Sequence, residues 1–225
     1  MCGIVGYIGQ RNAAPLILDG LRRLEDRGYD SAGLAVLNGT GLQVRRQPGK
    51  IKEIEALLES RPVSGPIGLG HTRWATHGRP SEANAHPHAD CSGSLVVVHN
   101  GILENYTALK ERLIAAGHCF RSGTDTEVLA HLVESHLSGG ADLLNGVRAA
   151  LREVRGAYAV GVLSADAPDR LVVAKYGAGS GVVGLGEGET YVASDIPAIL
   201  PYTRDVVILE DGEIGVVTRQ GVSIM

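Results

Sequence analysis

Apolar positions along this chain recur with two periods, close to two and close to 3.6 residues, and the alternation between them predicts the elements. From Cys2 to Ile8 small and β-branched residues alternate between glycines, which suits a buried strand whose first residue lies at the sheet end. Within Ala14 to Leu24 the positions Ile17, Leu18, Leu21 and Leu24 return at helical spacing, predicting a surface helix that stops by Arg27-Gly28. Ser31 to Leu37 and Leu42 to Arg46 read as a strand pair across the turn Asn38-Gly39-Thr40-Gly41. A short amphipathic helix follows near Ile51 to Leu58, and Pro62, Gly65 and Pro66 end it. Ile67 to Thr72 reads as another strand, running into a polar loop, Arg73 to Pro80, that carries the sole tryptophan, Trp74.

Leu95 to His99 is a short apolar run expected to stop at Asn100-Gly101, so that the Asn side chain and the Gly amide emerge together at a strand end. Helical stripes then cover Leu103 to Ala115, Thr126 to Leu137 and Leu143 to Val154. Short β-type runs dominate the last third: Ala157 to Leu163, Arg170 to Ala174, Val182 to Leu185 and Tyr191 to Ala193. Val206 to Leu209 and Ile214 to Val217 are expected to form a hairpin across Glu210-Asp211-Gly212-Glu213. Strands outnumber helices and the helices come in a block, which predicts two packed sheets with helices outside.

Composition narrows the function classes. With 225 residues, 44% of them hydrophobic, the chain can bury a substantial core, and no linker, repeat or low-complexity segment divides it, so one domain over 1–225 is expected. A net charge of −4 without a basic run argues against a nucleic-acid partner. The apolar runs are too short to span a membrane and no signal peptide is evident, so a cytoplasmic location is expected. Cys2, Cys91 and Cys119 form neither a disulfide framework nor a Cys-x-x-Cys pair.

Chemistry centres on Met1-Cys2-Gly3-Ile4. A cysteine directly after the initiator methionine can become a free N-terminal residue, carrying a thiol nucleophile and an α-amine base on one skeleton. The amine has a reference pKa of roughly 8, low enough to accept a proton near neutral pH. Attack on a carboxamide generates an oxyanion, for which the Asn100 amide and the Gly101 backbone N–H are suitable donors. An amino-acid substrate needs a guanidinium for its carboxylate and a carboxylate for its ammonium, roles open to Arg73 and Asp125. Each residue also has a bland reading: Asp125 or Thr124 as a helix N-cap, Arg73 as a surface ion pair, Asn100-Gly101 as a turn dipeptide, Cys2 as a buried small residue. A rival cluster, His77, His86, His88, Asp90 and Cys91, crowds one loop but lacks zinc-site spacing. His71 and His99 read as satisfied core or supporting residues.

Taken together, Cys2-Gly3-Ile4-Val5-Gly6, Arg22-Arg23-Leu24-Glu25 with Arg27-Gly28-Tyr29-Asp30-Ser31-Ala32-Gly33, His71-Thr72-Arg73-Trp74-Ala75-Thr76-His77-Gly78, Asn84-Ala85-His86-Pro87-His88, Val98-His99-Asn100-Gly101-Ile102 and Thr124-Asp125-Thr126-Glu127 resemble the class II glutamine amidotransferases of the N-terminal-nucleophile hydrolase superfamily. Among these the chain is most similar to the glutaminase domains of the glutamine–fructose-6-phosphate aminotransferases. The resemblance implies an α+β fold, a four-layer αββα sandwich of two mainly antiparallel sheets. It implies glutamine hydrolysis through a Cys2 glutamyl thioester, with Asn100 and Gly101 as oxyanion hole. Arg73 and Asp125 would hold the substrate, Thr76 and His77 would belong to a loop closing over it, Trp74 would gate ammonia, and Arg27 would lie near the nucleophile. No metal or organic cofactor is implied. The ammonia acceptor would be a sugar-isomerase domain or subunit that these 225 residues are expected to lack. The segment Gly177 to Gly184 departs from the family wording and is richer in glycine. A glutaminase subunit of another amidotransferase, and a glutamine-binding regulatory module without turnover, are the alternatives.

Overall fold

The structure, a computed structural model, describes residues 2–177 and 179–225. Its first sheet contains seven strands: β1 (Gly3–Ile8), β2 (Ser31–Asn38), β3 (Gly41–Pro48), β4 (Ile67–Arg73), β9 (Gly181–Gly186), β10 (Glu189–Ala193) and β11 (Val206–Leu209). Their spatial order is β11-β9-β10-β1-β4-β2-β3. A second sheet of six strands comprises β5 (His88–Ala89), β6 (Leu95–Leu103), β7 (Gly156–Ser164), β8 (Leu171–Tyr176), β12 (Ile214–Thr218) and β13 (Gly221–Ile224), in the order β13-β12-β8-β7-β6-β5. Every strand pair in both sheets is antiparallel.

Side-chain alternation sorts the core into three layers. Ile4 and Ile8 of β1 join Leu69 of β4, Val96 and Val98 of β6 and Val173 of β8 between the sheets. Val5 and Tyr7 point the other way, onto Ile17 and Leu21 of helix α1 (Ala13–Arg22) and Ile54 of α2 (Ile51–Ser60). On the far side Leu95, Val97, Val160 and Val162 pack under α3 (Tyr106–Ala115), α4 (Thr126–Ser138) and α5 (Leu143–Glu153). The order is therefore helices, sheet, sheet, helices, the expected αββα sandwich. Central strands such as β1 and β4 are buried along their whole length, which is why they read as nearly continuous small and apolar runs. No helix among the described residues is long and apolar enough to cross a membrane.

Two expectations fail. Val206–Leu209 and Ile214–Thr218 do not form a hairpin: β11 pairs with β9 in the first sheet, whereas β12 pairs with β8 and β13 in the second. The intervening turn carries the chain from one sheet to the other. It is anchored by the Asp211 carboxylate, which accepts the Gly177 N–H at 2.9 Å. Leu209 and Val217 face the same inter-sheet layer, so the local pattern is that of a hairpin although the partners differ. The strand at Leu95 also does not stop at Asn100-Gly101 but runs on to Leu103, because β7 pairs with it continuously to Leu103↔Gly156. The following helix consequently starts at Tyr106 rather than Leu103. The expectations missed β5 and β13, which are short edge strands. Of the glycine-rich segment at 177–184, Gly181 onward is strand β9, and Ala178 lies outside the described residues.

Candidate active site

Strand parity decides which side chains meet at one end of the sandwich. On β4 the residues Ile67 and Leu69 point between the sheets, so His71 and Arg73 follow on that face; on β6 Val96 and Val98 do, and Asn100 follows. Cys2 stands two residues before the inward-facing Ile4. The three segments converge. Cys2 Sγ accepts the Trp74 backbone N–H at 3.1 Å, and Asn100 Nδ2 donates to the Cys2 carbonyl at 3.0 Å.

These residues line a cavity of about 320 Å³, which Arg73, Trp74, Thr76, Gly101 and Asp125 also reach. Gly101 sits inside β6 at φ +133°, where a Cβ would lie 2.0 Å from the Ala157 carbonyl oxygen. Only glycine fits there, and Asn100-Gly101 is therefore part of a strand rather than a turn. Gly28 packs against the other wall so closely that a Cβ would lie 2.9 Å from the Arg73 carbonyl carbon.

Arg73 is buried and has no ion-pair partner among the described residues. Its Nη2 donates to the carbonyls of His77 and Gly78, which shapes the loop, while Nη1 is buried without any hydrogen-bond partner. A solvent-exposed surface pair is thereby excluded. Asp125 occupies the position before α4 but does not cap it: its Oδ2 accepts the Leu103 N–H at 2.9 Å. Thr124 instead meets His88 Nε2 through its hydroxyl at 3.0 Å. Thr76 is exposed on the cavity rim, and Trp74 is 45% exposed with its ring edge-on to Tyr29 at 5.5 Å between centroids. His77 is not part of the cavity wall; its ring packs on Tyr106 at 5.1 Å and only its carbonyl engages Arg73.

Histidines form the floor. His71 Nε2 lies 2.9 Å from Asn100 Oδ1 and 3.1 Å from the His99 carbonyl oxygen, and two oxygen acceptors require that nitrogen to carry the proton. Burial pushes the His71 pKa down to about 3 and that of His99 to about 4, so both rings are neutral at physiological pH. His86, on the cavity wall, tilts against His71 at 4.1 Å between ring centroids and meets the ring of buried His88 edge-on at 4.8 Å. The loop cluster considered from sequence thus splits, since Cys91 turns away to a different group of side chains. Burial also raises the Cys2 thiol, an effect only partly offset by the Trp74 N–H and the Arg73 charge. The resting sulfur is accordingly protonated and needs a base.

Several supporting residues were not singled out from sequence. Thr72 Oγ1 accepts the Gly3 N–H at 3.2 Å and Ser194 Oγ the Ile4 N–H at 3.0 Å, fixing the backbone next to the sulfur. Asp30 Oδ2 accepts the Ala75 N–H at 2.7 Å, and Asp195 pairs with Arg27, itself on the cavity wall. Each is a single polar residue at a strand end or turn, with no spacing that would distinguish it.

Comparison with known proteins points the same way. The profile of a family described as "Glutamine amidotransferase domain" matches residues 71–201. Glutamine–fructose-6-phosphate aminotransferase (isomerizing) of Thermus thermophilus is 55% identical over 224 residues, spanning 100% of this chain and 36% of that protein. The enzyme of the same name from Pyrococcus horikoshii is 51% identical over 219 residues, with 97% and 36% covered. The chain thus spans about a third of the length of these curated relatives. Among solved structures, the glutamine phosphoribosylpyrophosphate amidotransferase of B. subtilis superimposes with a TM-score of 0.86 at 30% identity, covering 100% of this chain and 49% of that one. A glutamine aminotransferase class-II domain protein from Silicibacter pomeroyi shares the fold at a TM-score of 0.66 and 15% identity, with 100% and 98% covered. By its matched residues, its fold and the arrangement at the end of its sandwich, the chain belongs to the glutamine amidotransferase domain family.

Proposed function

We propose that this chain hydrolyses glutamine to glutamate and ammonia, with the N-terminal thiol of Cys2 as nucleophile. The observation that carries the reading is that Arg73, with an unpartnered, buried guanidinium nitrogen, and Asp125 both line the cavity that also holds the Cys2 sulfur. A cation and an anion lining one cavity suit the carboxylate and ammonium of an amino acid, and leave its side-chain amide for the thiol.

The sulfur attacks the amide carbon, and its proton passes to the α-amine of Cys2, which exists once Met1 has been removed; Met1 itself lies outside the described residues. The amide oxygen becomes an oxyanion, held by Asn100 Nδ2 and the Gly101 N–H. The amine then protonates the leaving nitrogen, ammonia departs, and a glutamyl thioester remains. Water, deprotonated by the same amine, attacks the thioester and restores the thiol with release of glutamate. Thr76 and the loop through His77 close over the substrate, and Trp74 gates the exit of ammonia. His77 acts there through its backbone. No cofactor takes part in this sequence of steps.

The reading extends to the acceptor: the ammonia passes to fructose 6-phosphate on a sugar-isomerase domain or subunit, in the cytoplasm, to form an amino sugar, and the name of the relatives, glutamine–fructose-6-phosphate aminotransferase, supports the sugar phosphate. A glutaminase assay on the protein with intact mass recorded in parallel tests the reading. Glutamate release that requires the form lacking Met1 supports it, and full activity of a chain retaining Met1 would sink the assignment of the base.

A further inference from the structure

Away from the cavity, four potential metal ligands from three separate segments converge. Cys91 lies in the loop before β6, His118 follows α3, and His131 and Glu134 stand one turn apart on α4. Their donor atoms all fall within 4.8 Å of one another. Cys91 Sγ is 3.6 Å from His131 Nδ1 and 3.8 Å from His118 Nδ1. Glu134 Oε2 is 3.0 Å from His131 Nδ1 and 2.7 Å from His118 Nδ1. Around a tetrahedral zinc ion with Zn–S of about 2.3 Å and Zn–N or Zn–O of about 2.0–2.1 Å, the S···N edge is about 3.6 Å and the N···O edge about 3.3 Å. The two S···N distances, 3.6 and 3.8 Å, match these closely, while the two N···O distances, 3.0 and 2.7 Å, are shorter by about 0.3 and 0.6 Å and would open as the ion enters.

The surroundings fit a ligand set. His131 is 1% exposed in its side chain, and its other ring nitrogen, Nε2, is buried 3.7 Å from Glu127 Oε1, too far for a hydrogen bond but with a carboxylate as its nearest charged neighbour. The Cys119 N–H donates to Cys91 Sγ at 3.4 Å, and the Cys91 N–H holds the second Glu134 oxygen at 3.1 Å. The Phe120 ring covers His131 at 4.4 Å between centroids.

We propose that Cys91, His118, His131 and Glu134 form a tetrahedral site for a divalent cation of zinc type. One thiolate, one carboxylate and two neutral imidazoles neutralise the ion, and binding releases the Cys91 thiol proton to solvent. Thiolate with imidazole selects zinc over magnesium or calcium. Four protein donors leave no open position, so the ion braces the fold rather than reacting. It would tie the segments around Cys91 and His118 to α4, whose preceding residue Asp125 lines the cavity. Glu127 continues the brace, accepting the Arg121 and Ser122 N–H groups at 2.7 Å each.

The test uses the full chain stripped with chelator, dialysed against micromolar Zn²⁺ and then freed of loosely held metal. About one equivalent of zinc per chain is expected to remain, with a raised unfolding temperature. Co²⁺ should give intense visible bands of tetrahedral cobalt and a near-ultraviolet thiolate charge-transfer band. A Cys2→Ala/Cys119→Ala chain should keep that band, assigning it to Cys91, while Cys91→Ser and Glu134→Gln lose zinc. Failure of the Cys2→Ala/Cys119→Ala chain to retain zinc, a cobalt spectrum of octahedral type, or unchanged zinc content in a folded Cys91→Ser chain would overturn the proposal. The double variant keeps all four ligands, so the outcome does not depend on whether Cys91→Ser folds.

Discussion

The His71 ring donates from Nε2 to Asn100 Oδ1 at 2.9 Å, and that single bond determines which way the Asn100 amide faces. With its oxygen engaged by a donor, the amide can turn only its NH₂ group toward Cys2, where it sits 3.0 Å from the carbonyl oxygen. A neutral His71 with its proton on Nε2 thus prepares the donor that an oxyanion would need.

Removing that donor should depress turnover more than binding. Asn100→Ala is expected to lower kcat by about 10²–10³-fold, as for loss of one oxyanion-hole donor, with KM changed little. Steady-state kinetics with glutamine decide it, and an unchanged kcat would show that the oxyanion forms elsewhere.

Asp125→Asn separates charge from structure. The amide oxygen can still accept the Leu103 N–H, so the fold should survive, while the counter-charge for the substrate ammonium is gone. KM should rise about ten- to a hundredfold, matching the roughly 1.5–3 kcal/mol of a hydrogen bond to a charged group, with kcat nearly preserved. Equal loss in kcat and kcat/KM would instead place Asp125 in the chemical step.

A diazoketone analogue of glutamine should alkylate Cys2 and leave Cys91 and Cys119 untouched. All three thiols are free, but only Cys2 stands in the cavity. Peptide mapping reads the outcome; label on Cys91 would contradict it.

Stability should depend on pH through the buried histidines. His71 and His99 have folded pKa values lowered to about 3 and 4, against about 6.5 in an unfolded chain. Below pH 6.5 the unfolded chain therefore binds protons that the folded chain refuses. Their contribution is full above that pH and is lost as pH falls toward the folded values, at about 1.4 kcal/mol per pH unit for each histidine. Denaturant unfolding at pH 7 and pH 5 should show the fall, and equal stabilities would mean the rings are not neutral.

Trp74 reports on the cavity rim. Its ring is half exposed against Tyr29 and its backbone contacts the nucleophile, so glutamine binding to a Cys2→Ala chain should give a saturable change in fluorescence. No change at saturating glutamine would mean that the loop from Arg73 does not close.

Local pattern alone determined most of the elements, because strand and helix periods are imposed by side-chain direction and need no knowledge of partners. It also showed that Cys2 and Arg73 stand at or next to strand ends and that Asp125 precedes a helix. What tertiary structure decided was who meets whom. Strands β11 and β12 look like a hairpin, yet each hydrogen-bonds to a distant strand in a different sheet, a choice made by the packing of Leu209 and Val217 in one shared layer. Cys91 looked like a neighbour of His86 and His88, but the chain turns between them and sends the thiol to His118 and His131 while the two histidines pack against each other at the site. Asn100-Gly101 looked like a strand end and is strand interior, because only a paired β7 shows that the glycine is needed where another backbone passes 2.0 Å from its missing Cβ. Sequence encodes direction residue by residue, whereas proximity across tens of residues arises only when two sheets bury their common face.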